Sequence, residues 1–177
     1  MRKNRLLQLA AALLCAVMLS ACGQSDSAPA GADYTCTVSI SCATILDNMD
    51  QCAESKRELV PADGVILPAT EVAFTEGESA FDVLQRVCRD NGIHLESKFT
   101  PVYNSAYIQG IHNIYEFDVG KLSGWMYSVN DWFPNYGCSL YQVQDGDVIC
   151  WVYTCDLGAD VGGGQAAGDG QQEGANT

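Results

Sequence analysis

Between Cys36 and Cys42 the chain alternates without a break: Cys36, Val38, Ile40 and Cys42 are apolar, while Thr37, Ser39 and Ser41 carry hydroxyls. Side chains two apart share one face of an extended strand, so a half-buried strand is predicted over about 34–42, with both cysteines on its core side. Residues 43–69 form a long excursion, with a short helical pattern near 44–58 and a turn at Pro61-Ala62-Asp63-Gly64. Alternation resumes from Thr70 to Phe74 as a second strand and is broken by Glu76-Gly77-Glu78. Ser79 then stands as an N-cap with Asp82 at the capping-box position, which predicts a helix to about Asn91, stopped by Gly92. Phe81, Leu84 and Cys88 fall at i, i+3 and i+7, so Cys88 also faces inward.

Beyond Gly92 every pattern is strand and turn. Strands are predicted at 94–99, 107–111, 114–117, 124–130 and 147–154. Trp125, Tyr127 and Val129 share one face of the fourth of these. Asp145-Gly146-Asp147 is a turn feeding Val148 to Tyr153, which is apolar on both faces and therefore predicted to lie in the middle of a sheet. Two strands, a helix, then further strands ending in a central one give an α+β class. Its architecture is a β-grasp-like mixed sheet with one main helix packed across it, first and last strands parallel at the centre. Past Gly158 the chain is Gly, Gln, Ala and Asp without aromatics, so 158–177 is read as a disordered tail and 34–157 as the folded unit.

The opposite end carries an address. Three basic residues within Met1–Arg5 precede an apolar run from Leu6 to Met18, the pattern of an export signal over 1–21. Leu19-Ser20-Ala21-Cys22 resembles the lipobox of bacterial lipoproteins, which implies lipidation of Cys22, and the Ser/Ala/Gly/Pro stretch within 22–33 reads as a flexible tether. The expected location is the extracytoplasmic face of a membrane, held by lipid. The whole chain has 22 acidic and 9 basic residues, net charge −13. Loss of residues 1–21 removes three basic residues and no acidic one, so the mature chain carries −16. Such a surface has no basic stripe for a phosphate backbone, which excludes nucleic acid as a partner.

Export also changes how the cysteines are read. Of nine, Cys15 leaves with the signal and Cys22 takes lipid; Cys36, Cys42, Cys52, Cys88, Cys138, Cys150 and Cys155 remain. Outside the cytosol disulfides are the expectation, with at least one of the seven left over and the pairing open. No CxxC pair supports a zinc site.

Thirteen of the sixteen aromatic residues lie between Phe99 and Tyr153. Trp125, Tyr127, Trp151 and Tyr153 fall on predicted strands. Tyr103, Tyr107, Trp132, Phe133 and Tyr136 fall where turns are expected, and Trp132-Phe133-Pro134-Asn135-Tyr136 is the candidate binding edge. The candidate ligand-binding set is Asn104, Tyr107, Trp125, Tyr127, Asn130, Trp132, Phe133 and Tyr136, with Asn113 as a further polar contact. Asp47 and Asp50 offer oxygen ligands for calcium but lack the further spaced acids and glycine of an EF-hand. His94 and His112 belong to no HExxH, and neither GxSxG nor a glycine-rich phosphate loop occurs, so no enzyme activity and no catalytic cofactor are expected. A thiol nucleophile activated by His112 is the weakest reading.

Gly124-Trp125-Met126-Tyr127-Ser128-Val129-Asn130, followed by Gln144-Asp145-Gly146-Asp147-Val148, resembles the C-terminal domain of transcobalamin and intrinsic factor. With Glu76 to Leu84, the chain is similar to bacterial lipoproteins that carry this transcobalamin-like domain, over about 36–157. The resemblance implies a β-grasp-like domain that, in the vitamin carriers, closes over one face of cobalamin. Two departures stand out: no stretch here reads as the carriers' α-helical barrel, and Asp131 occupies the glycine position of the family's Val-Asn-Gly turn. Two classes stay open. One is a small-molecule binding module, with a corrinoid as ligand and a membrane transporter as recipient. The other is a protein-interaction or adhesion module at the cell surface, with calcium as a stabiliser.

Overall fold

The computed structural model describes residues 29 and 31–163; the expected signal segment, Cys22, most of the tether and residues 164–177 lie outside them. Strand β1 (Tyr34–Ser41) has β2 (Val65–Phe74) antiparallel on one side and β7 (Val148–Thr154) parallel on the other. Strand β6 (Gly124–Val129) pairs antiparallel with β7, giving the order β2-β1-β7-β6 with the first and last strands side by side at the centre. The alternation read in β1 is a real division of faces: Cys36, Val38 and Ile40 are buried, and the hydroxyl residues between them are half-exposed. On the same side Ile149, Trp151 and Tyr153 of β7 and Trp125, Tyr127 and Val129 of β6 close the core.

Helix α1 (Ala80–Asp90) packs Val83, Leu84, Val87 and Cys88 into that core. Its capping box is complete. Ser79 Oγ accepts from the Asp82 amide at 3.2 Å, and Asp82 Oδ2 accepts from the Ser79 amide at 2.9 Å, a device worth about 1 kcal/mol. Two further first-turn donors are satisfied from afar: the Ala80 amide donates to the Tyr141 carbonyl (2.9 Å) and the Phe81 amide to that of Cys138 (3.3 Å). The helix start therefore holds the 138–141 segment in place. Arg86 ties the other side, donating to the Ala73 carbonyl at 2.8 Å and pairing with Glu78 at 2.9 Å.

A second sheet, β3-β4-β5, consists of β3 (Leu95–Thr100), β4 (Ser105–Ile111) and β5 (Ile114–Tyr115). It is locked to the first by Trp125 Nε1, which donates to the Ile114 carbonyl (2.8 Å), and by the Tyr153 hydroxyl, which donates to the Tyr115 carbonyl (2.7 Å). Lys56 braces the junction, donating to the Asn113 carbonyl at 2.7 Å and sitting 4.6 Å from the centre of the Tyr115 ring. Two tight turns use paired left-handed residues, His112-Asn113 (φ 56°, 60°) and Asn130-Asp131 (φ 50°, 65°), matching the mirror-image hairpin turns that fit strand twist. Asp131 thus takes the positive φ that a glycine adopts freely.

Four expectations need correcting. Strand β2 starts at Val65, five residues earlier than the alternation indicated, because a register shift opposite Ile40 absorbs Pro68 and Ala69 on a sheet edge. The helical pattern near 44–58 is two 3₁₀ segments, Ala43–Asn48 and Glu54–Leu59, rather than one helix. Residues 158–163 are not disordered. They include a 3₁₀ turn at Ala159–Val161, and Gly158 and Gly163 lie so close to Met126 that an added Cβ would meet its side chain at 2.8 and 2.9 Å. Finally, all seven described cysteines are free thiols. Cys36, Cys42, Cys88 and Cys138 sit in the core as small apolar side chains. Burial holds their thiols up, at about 12, 11, 12 and 12. Cys150, on the opposite face of β7 from Trp151, is half-buried.

Candidate functional site

Strands β3 and β4 form a hairpin that stands out from the core, its tip at Pro101–Asn104 strongly exposed. Facing β4 is the loop from Trp132 to Gly137. What brings them together is a contact that tolerates no side chain: a Cβ on Gly137 would lie 1.7 Å from Ser105 Oγ. Ser105 is buried, and its hydroxyl meets Ser139 Oγ at 3.1 Å, while the Ala106 amide donates to Ser139 Oγ at 2.9 Å. The Tyr127 hydroxyl donates to the Tyr136 carbonyl at 3.0 Å, pinning the loop to β6 from below. With 138–141 held by the helix start, the loop has fixed attachments at both its base and its far end.

Between hairpin and loop runs a cleft. Its outer part, about 390 Å³, is lined by Thr100, Tyr103, Ser105, Ala106 and Tyr107 on the hairpin side and by Pro134, Asn135, Tyr136 and Gly137 on the loop side. An inner part, about 190 Å³, shares Ala106, Tyr107, Pro134 and Gly137 with the outer one and reaches Trp125, Tyr127, Cys138 and Trp151. No Asp, Glu, Lys, Arg or His lines either part. The Tyr107 hydroxyl donates to Glu116 at 2.6 Å, and burial together with that carboxylate raises its pKa to about 12, so Tyr107 stays a neutral phenol. Burial likewise holds the Tyr127 hydroxyl protonated. The arrangement can stack planar groups and offer hydroxyl and amide hydrogen bonds; it supplies no charge.

The sequence-derived candidates divide. Tyr107, Tyr136, Trp125 and Tyr127 line the cleft. Trp132, 48% exposed, does not; its ring meets that of Tyr136 edge-on at 6.0 Å. Phe133 lies against Gly163, and Asn104 takes a left-handed turn position (φ 46°) beside Tyr103 at the hairpin tip. Asn130 is engaged in the turn that follows β6 and closes Val129 onto Trp132, and ties it to the start of β7: its amide nitrogen donates to Asp147 (2.8 Å) and its oxygen accepts from the Val148 amide (2.9 Å). Asn113 is likewise a turn residue. Asn48, between Asp47 and Asp50, is bound to Thr44 and Gln51, and among the described residues no group of three or more His, Cys, Asp or Glu side chains could hold a metal ion.

Ser105, Ala106, Gly137 and Trp151 were not among the candidates. Nothing in the local pattern marks Ser105 and Gly137 as partners, since their contact joins positions 32 apart. Trp151 reads as core from its strand, and it is core, 2% exposed, with its ring stacked 5.4 Å from that of Tyr127. Its indole Nε1 nonetheless has no hydrogen-bond partner, and it is the one buried side-chain nitrogen or oxygen among the described residues in that state.

Comparison with known proteins is consistent with this architecture. A family described as a domain of unknown function (DUF4430) matches residues 77–155. No curated protein matches. Among solved structures, haptocorrin in complex with Cbi aligns with a TM-score of 0.52 and 13% identity, covering 70% of this chain and 25% of that one. A candidate metal binding protein from Ruminococcus gnavus ATCC 29149 aligns at 0.41 and 16% identity, covering 69% of this chain and 97% of that one. The chain spans about a quarter of the haptocorrin length, and what the two share is the fold.

Proposed function

We propose that this chain is a lipid-anchored extracytoplasmic module that binds a small molecule through a flat, uncharged part entering the cleft between the β3–β4 hairpin and the 132–137 loop. The observation that carries this reading is the cleft itself: aromatic walls, a rigidly attached loop and no charged lining residue. A corrinoid is the leading ligand, supported by the fold shared with a protein described in complex with Cbi and by the flat aromatic faces of Tyr103, Tyr107 and Tyr136. The export pattern over 1–22 supplies the anchor, and a membrane transporter would be the recipient; binding, not catalysis, is the activity assigned.

Calorimetric titration of the purified chain with cobalamin and cobinamide tests this. The expected result is saturable binding that weakens about tenfold or more in Tyr136→Ala, a loss typical of an aromatic contact in a binding site. Absence of heat up to about 1 mM, where binding is worth only about 4 kcal/mol, would remove the corrinoid. The anchor is tested apart, by labelled fatty acid entering the wild type and not Cys22→Ser. The competing partner-protein reading draws on the exposed tip, where Val102 is 86% accessible. It predicts that Val102→Asp abolishes binding to a partner protein while leaving small-molecule affinity untouched.

A further inference from the structure

A buried donor without a partner is uncommon, because folding removes its water and gives nothing back. Trp125 shows the ordinary solution one strand away: also buried in the core, its indole nitrogen donates to the Ile114 carbonyl. Trp151 has no such acceptor. Two polar groups around the inner cleft already have partners. The Tyr136 carbonyl accepts from the Tyr127 hydroxyl, and the Ala106 carbonyl accepts from Ser105 Oγ and lies 3.7 Å from Cys138 Sγ. Trp151 also lines the inner cleft, which joins the outer one through four shared residues.

We propose that the molecule held in this cleft presents a neutral hydrogen-bond acceptor, an amide or ketone oxygen or a ring nitrogen, to Nε1–H of Trp151, and that Trp151 is therefore a specificity-determining residue. The inference rests on the cleft being the binding site. Neutrality follows from the lining: no Lys, Arg or His lines the cleft to balance an anion, no Asp or Glu lines it to balance a cation, and Glu116 behind Tyr107 already accepts from that hydroxyl. A planar ring enters between Tyr103, Tyr107 and Tyr136, and its acceptor points down towards β7. An analogue of the same shape without the acceptor leaves the indole unpaired and binds about tenfold more weakly, the factor expected for one buried hydrogen bond.

The test is NMR of the full chain with ¹⁵N-labelled tryptophan, in which Trp125, Trp132 and Trp151 give three indole signals and Trp151→Phe assigns the third. The probes are 2-naphthamide and 2-methylnaphthalene, alike in ring and unlike in acceptor. The expected result is about tenfold tighter binding of the amide, a downfield shift of the Trp151 indole proton on binding it, and loss of the tenfold preference in Trp151→Phe. If both probes bind equally and perturb residues 103–107 while the Trp151 signal stays still, the acceptor inference fails and the cleft reading survives. If neither probe perturbs hairpin or loop, the acceptor inference fails, and the cleft reading stands or falls on the corrinoid titration. Should Trp151→Phe not fold, the wild-type ratio and the indole shift decide the matter alone.

Discussion

Asp147 offers the sharpest test of how the central strand is held. It is 4% exposed, directly before β7, and its carboxylate accepts three hydrogen bonds: from Asn130 Nδ2 (2.8 Å), the Tyr141 hydroxyl (2.9 Å) and the Gln144 amide (2.8 Å). These join the Asn130-Asp131 turn after β6 to the segment that caps α1 and closes onto the cleft loop. Asp147→Ala leaves all three donors without their acceptor. A lost partner costs about 1–3 kcal/mol per buried group. Asn130 and Gln144 are exposed enough to find water, so the full penalty falls on the half-buried Tyr141 hydroxyl, giving about 2 kcal/mol in all. Asp147→Asn keeps the shape and one acceptor oxygen and loses about half as much. Asp145→Ala, two residues away, forfeits only an exposed bond from the Thr35 amide and changes stability by about 0.5–1 kcal/mol. Urea unfolding followed by tryptophan fluorescence measures all three at constant slope. A loss below about 1 kcal/mol for Asp147→Ala, or equal losses at 145 and 147, would refute the reasoning.

Other expectations follow from the same structure. Asp131→Gly removes the strain of a left-handed aspartate and raises stability by about 0.5–1 kcal/mol, seen as a melting temperature higher by a few degrees. Gly137→Ala drives a methyl into Ser105, lowers stability by about 1–3 kcal/mol and opens the cleft, read as increased fluorescence-quencher access to tryptophan. Thiol titration of the native protein without reductant labels Cys150 and Cys155 first, and all seven described thiols react once guanidinium is added; fewer than seven would mean that disulfides form. Cys36, Cys88 and Cys138 keep their protons to about pH 12 when folded but ionise near 9 when unfolded. The folded state therefore binds more protons between those values, and stability falls as pH rises from about 9; a flat profile over that window would contradict the burial.

What could be read from sequence was what local chemistry determines. The Ser79–Asp82 capping box declares itself within four residues, and the two-sided apolar run of Val148 to Tyr153 can only lie inside a sheet. Those two features, with the alternation at 36–42, were enough for the helix and the parallel central pair. Strand β2 was underestimated because Pro68 and Ala69 break the alternation, and only the edge position explains why the strand survives them. The cysteines were misjudged because their number suggests oxidation, whereas their burial is decided by which face of each element they occupy. Aromatics at turns pointed towards the cleft, and three of those five line it, while Trp132 and Phe133 do not. The wall that positions the cleft, Ser105 against Gly137, arises from tertiary contact between two small residues that no periodicity distinguishes. Nor can a pattern of apolar positions tell that the nitrogen of Trp151 lacks an acceptor.

The central claim is that a small molecule sits between the β3–β4 hairpin and the 132–137 loop. Hydrogen–deuterium exchange of the full chain with and without cobinamide addresses it directly, since both walls expose backbone amides whose protection a bound molecule would raise. The account predicts slowed exchange confined to 103–108 and 134–138, with β2 unchanged. Protection elsewhere on the molecule, or none at saturating concentration of a ligand shown to bind, would contradict it.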